Sequence, residues 1–236
     1  MRITKQAPGI MGAQHKQSSR SGASAGHRYY TPFFLRYVYD TCVLGGNGRF
    51  LWGCPPSELV AHFKAHASQN HLDIGVGTGY IIDKADMFDD RARLVLMDAN
   101  PHTLAHCAER LRRFQPALIE HDALIEPPAA LTPFTSISMN NLLHCLPGTL
   151  PEKAPALQLQ ASKLAPGGTF FGTTILTRGV DVPFYSRPML HVLNRSGGMS
   201  NLGDSLGDLE RLLAQNFDAW KLRVVGMMAL FSATRG

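Results

Sequence analysis

The densest chemical signal in the chain is one short run, Leu72-Asp73-Ile74-Gly75-Val76-Gly77-Thr78-Gly79-Tyr80. Glycines at alternate positions keep Cβ atoms out of the turn, so the backbone bends tightly and comes close to a ligand. Such a turn at the carboxyl end of a parallel strand is where open α/β sheets bind cofactors. Further along, polar residues close apolar runs: Asp98 ends one, His121-Asp122 the next, and Asn140 the one after. His144 follows in a short turn, with an imidazole that ordinarily titrates near neutral pH.

Positioning these groups takes alternating strands and helices. Leu59, Val60 and Phe63 recur at helical spacing and predict a helix from Pro55-Pro56 to near Ala67. The first strand spans about His71–Gly75, and a short helix is expected around Gly79–Lys84. Ala92–Asp98 reads as strand two. Asn100-Pro101 supplies an N-cap and a first-turn proline for the helix that follows, ending near Phe114. Ala117–Asp122 and Phe134–Asn140 read as strands three and four, Glu152–Leu164 as a helix, and Thr169–Leu176 as strand five after the Pro166-Gly167-Gly168 turn. A helix from Asp204 or Ser205 to about Asn216 precedes two strands around Gly226, a hairpin. The order predicts an α/β fold: a doubly wound, mainly parallel seven-stranded sheet with a C-terminal antiparallel β-hairpin.

Residues 1–28 read as a disordered basic tail, with Arg2, Lys5, Lys16, Arg20 and Arg28 and no acid. That composition also suits an organelle transit peptide; the plain tail is preferred because no amphipathic helix is visible. The formal charge is +5, so 5 − 5 leaves zero for the remainder, a poor electrostatic footprint for nucleic acid. Residues 29–236 make up the single folded domain. No run of about 18 apolar residues is present, so no membrane span is expected. Cys42, Cys54, Cys107 and Cys145 lack CxxC spacing and fit reduced thiols in a cytoplasmic protein.

The glycine spacing alone leaves a dinucleotide site open as a rival. That site needs GxGxxG, whereas Tyr80-Ile81-Ile82 supplies no such third glycine. With Asp98, the His121-Asp122-Ala123 segment, the Ser138–Leu146 stretch, Leu164-Ala165-Pro166-Gly167-Gly168 and the final hairpin, the chain from about Leu59 resembles the class I S-adenosylmethionine-dependent methyltransferases. The resemblance implies S-adenosyl-L-methionine as cofactor. It implies that Gly75, Gly77 and Gly79 bring main chain against the methionine and ribose, and that Asp73 and Asn140 serve the amino-acid end. Asp98, with Ala99 beside it, would accept the ribose hydroxyls; Asp122 and the backbone of Ala123 would meet adenine.

The acceptor implied is a small molecule, methylated on O, N, S or C. His144 is the candidate catalytic base, with a packing role in the pocket wall as the plainer reading and His191 as a weaker alternative. Substrate walls are expected from a lid segment, 29–54, and a loop-rich insertion, 177–203. Tyr30, Tyr37 and Tyr185 are the candidate contacts, because aromatic faces with polar tips suit a flat molecule. No His, Asp or Glu set has metal-ligand spacing, so no metal is expected. RNA or protein methylation, and a non-catalytic cofactor-binding partner protein, remain the alternatives.

Overall fold

Apolar runs of period two and period 3.6 alternate and fold into seven strands and six α-helices among the described residues, 49–235, of the computed structural model. The readings of 1–28, of 29–48, and of Tyr30 and Tyr37 lie outside the described residues. The order is α1 (Pro56–His66), β1 (Asn70–Ile74), α2 (Tyr80–Ala85), β2 (Arg93–Asp98), α3 (Pro101–Arg110), β3 (Ala117–Glu120), β4 (Phe134–Asn140), α4 (Leu150–Ala161), β5 (Leu164–Ile175), α5 (Ser186–Arg195), α6 (Leu206–Asn216), β6 (Ala219–Val225) and β7 (Met228–Thr234).

Caps set several helix starts. Asn100 accepts from His102 N and Pro101 opens α3, where a missing N–H costs nothing. Thr149 and Glu152 form a capping box that starts α4 at Leu150, two residues before the expected Glu152. Ser205 accepts from Asp208 N and starts α6.

The sheet order is β3-β2-β1-β4-β5-β7-β6. β1 to β5 run parallel, and β7 enters antiparallel between β5 and β6. Leu72, Ile74, Ile137 and Met139 pack one face under α4 and α6. Leu94, Leu96 and Phe171 pack the other with Phe63 of α1, Ile82 of α2 and Leu104 of α3. The chain moves outward from β1 to β3, then returns to β4 on the other side of β1. That reversal opens a crevice at the carboxyl ends of β1 and β4, where such sheets take ligands.

Two expectations shift. β5 begins at Leu164 rather than Thr169, because the Pro166-Gly167-Gly168 turn is absorbed as an irregular entry to the strand. Phe134 pairs with Leu164 before the register shifts, and Gly167 N reaches Arg235 O at 3.1 Å. The 177–203 insertion is not loop throughout. It holds α5, whose Leu190 is buried and whose Met189 and Leu193 pack against Trp52, Met227 and Leu230.

Candidate active site

β1 delivers the chain into the glycine turn, and Gly75 N bonds Met97 O of β2 at 2.8 Å. The glycines are needed for different reasons. All three have left-handed φ, +72° at Gly75, +53° at Gly77 and +71° at Gly79. A Cβ on Gly75 would lie 2.7 Å from Leu142 Cδ1, and one on Gly79 would lie 2.6 Å from Cys107 Sγ of α3. Those two let the turn after β4 and helix α3 close in. A Cβ on Gly77 would meet nothing within 4 Å, so this residue leaves open space above the turn.

Asp73 is buried one residue before the end of β1 and register-paired with Ser138 of β4. Ser138 Oγ donates to Asp73 Oδ1. That hydroxyl is therefore an acceptor toward His71 Nε2, 3.0 Å away. With the proton on Nε2, His71 Nδ1 accepts from Ser136 Oγ at 2.7 Å. The imidazole is enclosed by the rings of Phe63, Phe88 and Phe171. Burial pushes its pKa down to about 3. Burial likewise pushes Asp73 up to about 7, opposed by the bond from Ser138 and reinforced by the charge of Asp98. The Asn140 side chain also opposes the rise. Its buried Oδ1 has no partner among the described residues.

Asp98 ends β2 half-buried, with Oδ1 accepting from Asn100 N at 2.8 Å. Ala99 beside it is exposed. The main chain of Asp98 also accepts from His121 N at 3.0 Å, which ties the end of β3 to that of β2. Asp122 caps its own turn by accepting from Leu124 N at 2.9 Å. The buried amide of Gln160, on α4, donates to Ala123 O at 3.0 Å and Ile125 O at 3.1 Å and so holds this loop from beneath.

After β4 the chain turns through Asn141, whose φ is +56°. Thr173 holds that conformation: Asn141 N bonds Thr173 O at 2.9 Å, and Thr173 Oγ1 donates to Asn141 Oδ1 at 3.0 Å. His144 follows, buried. Its Nδ1 accepts from Ile175 N at 3.2 Å, so the neutral ring carries its proton on Nε2. Burial, aided by the charge of Lys153, pushes its pKa down to about 3. Lys153 is itself enclosed, with Nζ 2.8 Å from Asp204 Oδ2, both side chains fully buried. Tyr185 stands at the start of α5, half exposed, edge-on to Phe184.

The fold thus gathers Asp73, Gly75, Gly77, Gly79, Asp98, Ala99, Asp122, Ala123 and Asn140 at the carboxyl ends of β1 to β4, and puts His144 in the turn beyond. Tyr185 and His191 belong to the insertion, beyond β5. Sequence reasoning missed His71, Ser138, Gln160 and Thr173. A signal for Ser138 exists: Ser136, Ser138 and Asn140 alternate with Ile137 and Met139 in a central strand, where an uncompensated polar row would be costly.

S-adenosylmethionine carries an amino-acid end with an ammonium and a carboxylate, a sulfonium, a ribose diol and a flat base. The residues present fit it. The Asp73 carboxyl near the end of β1 and the orphaned Asn140 Oδ1 at the end of neighbouring β4 face a half-exposed carboxylate, Asp98, at the end of β2, and the turn after β1 carries the Cβ-free surface of Gly77. Among the described residues, no group of His, Cys, Asp or Glu could hold a metal ion.

Comparison with known proteins agrees. Residues 72–170 match the family described as "Methyltransferase domain". Demethylluteothin O-methyltransferase of Streptomyces thioluteus is 36% identical over 208 residues, which cover 88% of this chain and 90% of that one. O-methyltransferase NEC2 of Pyricularia oryzae is 31% identical, over 87% of this chain and 91% of its own. Among solved structures, N-methyltransferase NodS of Bradyrhizobium japonicum in complex with S-adenosyl-L-homocysteine superposes with a TM-score of 0.53. It covers 75% of this chain and 83% of that one, at 17% identity, a likeness of fold.

Proposed function

This chain belongs to the S-adenosylmethionine-dependent methyltransferase family, and from that premise we propose which residues hold donor and acceptor. It is an enzyme, and S-adenosylmethionine is its cofactor. When bound, that cofactor supplies an electrophilic methyl group on a sulfonium. Transfer is then an in-line displacement, favoured by alignment and exclusion of water.

The single observation that carries the residue assignment is the buried, unpartnered Oδ1 of Asn140 at the reversal of the sheet, beside Asp73. An orphaned acceptor there costs stability unless a donor arrives, and the ammonium of the cofactor is such a donor. Asp73 faces the same cation through Asn140. Gly75, Gly77 and Gly79 admit the methionine and ribose, and Asp98 with Ala99 takes the diol. Asp122 and Ala123 take adenine on the loop held by Gln160.

For His144 the role of base meets two physical obstacles. Its Nδ1 lone pair is spent on Ile175 N–H, and a second proton would make a buried cation near Lys153. We therefore assign it to orienting the turn after β4 as part of the pocket wall.

The acceptor is a small molecule, with Tyr185, Tyr30 and Tyr37 as its proposed contacts. Relatives named for O- and N-methylation of secondary metabolites support this. The zero net charge outside residues 1–28 argues against nucleic acid. Free thiols at Cys54, Cys107 and Cys145 support a cytoplasmic location.

The test is incubation with methyl-labelled S-adenosylmethionine and a panel of small aromatic alcohols and amines. Labelled product with equimolar S-adenosylhomocysteine is expected. Tight cofactor binding with no label transferred to any small molecule, in the panel or in a metabolite extract, would favour the non-catalytic partner instead.

A further inference from the structure

Past the carboxyl end of β5 the chain builds a second concavity of about 460 Å³. Residues 177–182, Arg187, Leu190 and His191 of α5, and Leu202 line it. No residue from the ends of β1 to β4 lines it, so it is distinct from the cofactor crevice.

Its frame is built from buried hydrogen bonds rather than loose loop. Thr177 N and Arg178 N both donate to Asp204 O, at 3.0 and 3.1 Å, and Leu206 N donates to Arg178 O at 3.0 Å. Asn201 Nδ2 donates to Ile175 O at 3.0 Å, while Asn194 of α5 donates to Asn201 Oδ1 at 2.9 Å. Asp204, whose carbonyl takes the first two of these bonds, pairs its buried carboxylate with Lys153. A cleft so framed loses little further freedom when a ligand enters.

Its charge is lopsided. Arg178 and Arg187 line it, and neither makes an ion pair with a described carboxylate. Asp181 is the one carboxylate in the lining, so 2 − 1 leaves an excess of +1 before His191 is counted. Guanidinium forks match carboxylate and phosphate oxygens in geometry as well as charge. Leu202, exposed in the lining, adds an apolar surface. Thr177 in its lining follows, by two residues, Ile175, whose N–H holds His144.

We propose that this cleft receives an anionic group, carboxylate or phosphate, carried by the methyl acceptor, with Arg178 and Arg187 as the clamp. The inference rests on the methyltransferase reading for the identity of the occupant, since the cleft itself requires only an anion. It narrows the acceptor to an acid whose body packs on Leu202 while its charged end lies between the guanidiniums.

Calorimetry on the full chain, with and without saturating S-adenosylhomocysteine, tests this using benzoate, phenyl phosphate, benzamide and inorganic phosphate as probes. The acids should bind at least about tenfold more tightly than benzamide, with affinity falling as salt rises. Arg178→Gln and Arg187→Gln should each weaken the acids, and the double variant should erase the preference. The affinity for S-adenosylhomocysteine should stay unchanged throughout. Equal binding of acid and amide, or a preference surviving in the double variant, overturns the proposal. Inorganic phosphate binding as tightly as phenyl phosphate overturns the assignment to the acceptor and gives the cleft to a free anion. A failure to bind S-adenosylhomocysteine strikes the methyltransferase reading instead, and the acid preference is still read without it.

Discussion

The Ser138 hydroxyl donates to the Asp73 carboxylate between register partners of β1 and β4, and the same oxygen is 3.0 Å from His71 Nε2. One serine thus joins a carboxyl group pushed up to about 7 to an imidazole pushed down to about 3.

The two shifts pull stability in opposite directions with pH. Asp73 holds its proton longer in the folded state than in the unfolded one, so its contribution is present below about pH 4 and lost as pH rises to about 7. His71, His144 and His62, pushed down to about 3, 3 and 4, do the reverse: their contribution is lost as pH falls below about 6.5. Asp73→Asn removes only the first effect. Its stability relative to the parent should rise steadily between about pH 4 and 7 and level off above. Urea unfolding across that range checks this; a constant difference would mean that Asp73 titrates normally.

The glycine turn separates strain from function. Gly79→Ala puts a methyl 2.6 Å from Cys107 Sγ in a left-handed conformation and should cost about 2–4 kcal/mol of stability. Gly77→Ala carries only the conformational strain, about 1–2 kcal/mol. Its methyl should instead weaken S-adenosylhomocysteine binding by at least about tenfold. Thermal melts and calorimetry on the two variants should show opposite emphases.

His144 gives a kinetic prediction. A ring held neutral, with Nδ1 on Ile175 N–H, contributes no inflection to the pH profile of kcat between about pH 5 and 8. His144→Asn can keep an acceptor near Ile175 N and should retain most turnover, while His144→Ala should lose stability. An inflection near neutrality that vanishes in His144→Asn would restore the base role.

The buried pair under the insertion should show strong coupling. Lys153→Met leaves Asp204 enclosed and unpaired, at a cost of about 3–5 kcal/mol. Lys153→Met with Asp204→Leu should recover most of that loss. A double variant no better than the single one would mean that the pair is needed for packing around Ser200, which Lys153 Nζ also bonds at 2.6 Å.

What was legible in the sequence followed from backbone need. Gly75, Gly77 and Gly79 mark a turn that other residues cannot make, and Asp98 and Asn140 stand where apolar strands end, so the crevice and the succession of strands along the chain could both be read. The polar support was hidden because its contacts span the chain. Ser138 and Gln160 act across 65 and 37 residues, distances at which no periodicity speaks. His144 was legible in place but not in tautomer, which depends on a backbone N–H of β5. Helix α5 was masked by Pro183, Pro188 and Gly197-Gly198. Pro188 lies in its first turn, where the ring breaks no helical hydrogen bond.

The central claim is that Asp98 at the end of β2 holds the ribose of S-adenosylmethionine. Titration calorimetry of S-adenosylhomocysteine into the parent and Asp98→Ala, with thermal melts to verify folding, tests it most directly. The variant should fold, and its affinity should fall by at least about tenfold, the scale of one or two lost charge-assisted hydrogen bonds. An unchanged affinity in a folded variant would contradict it.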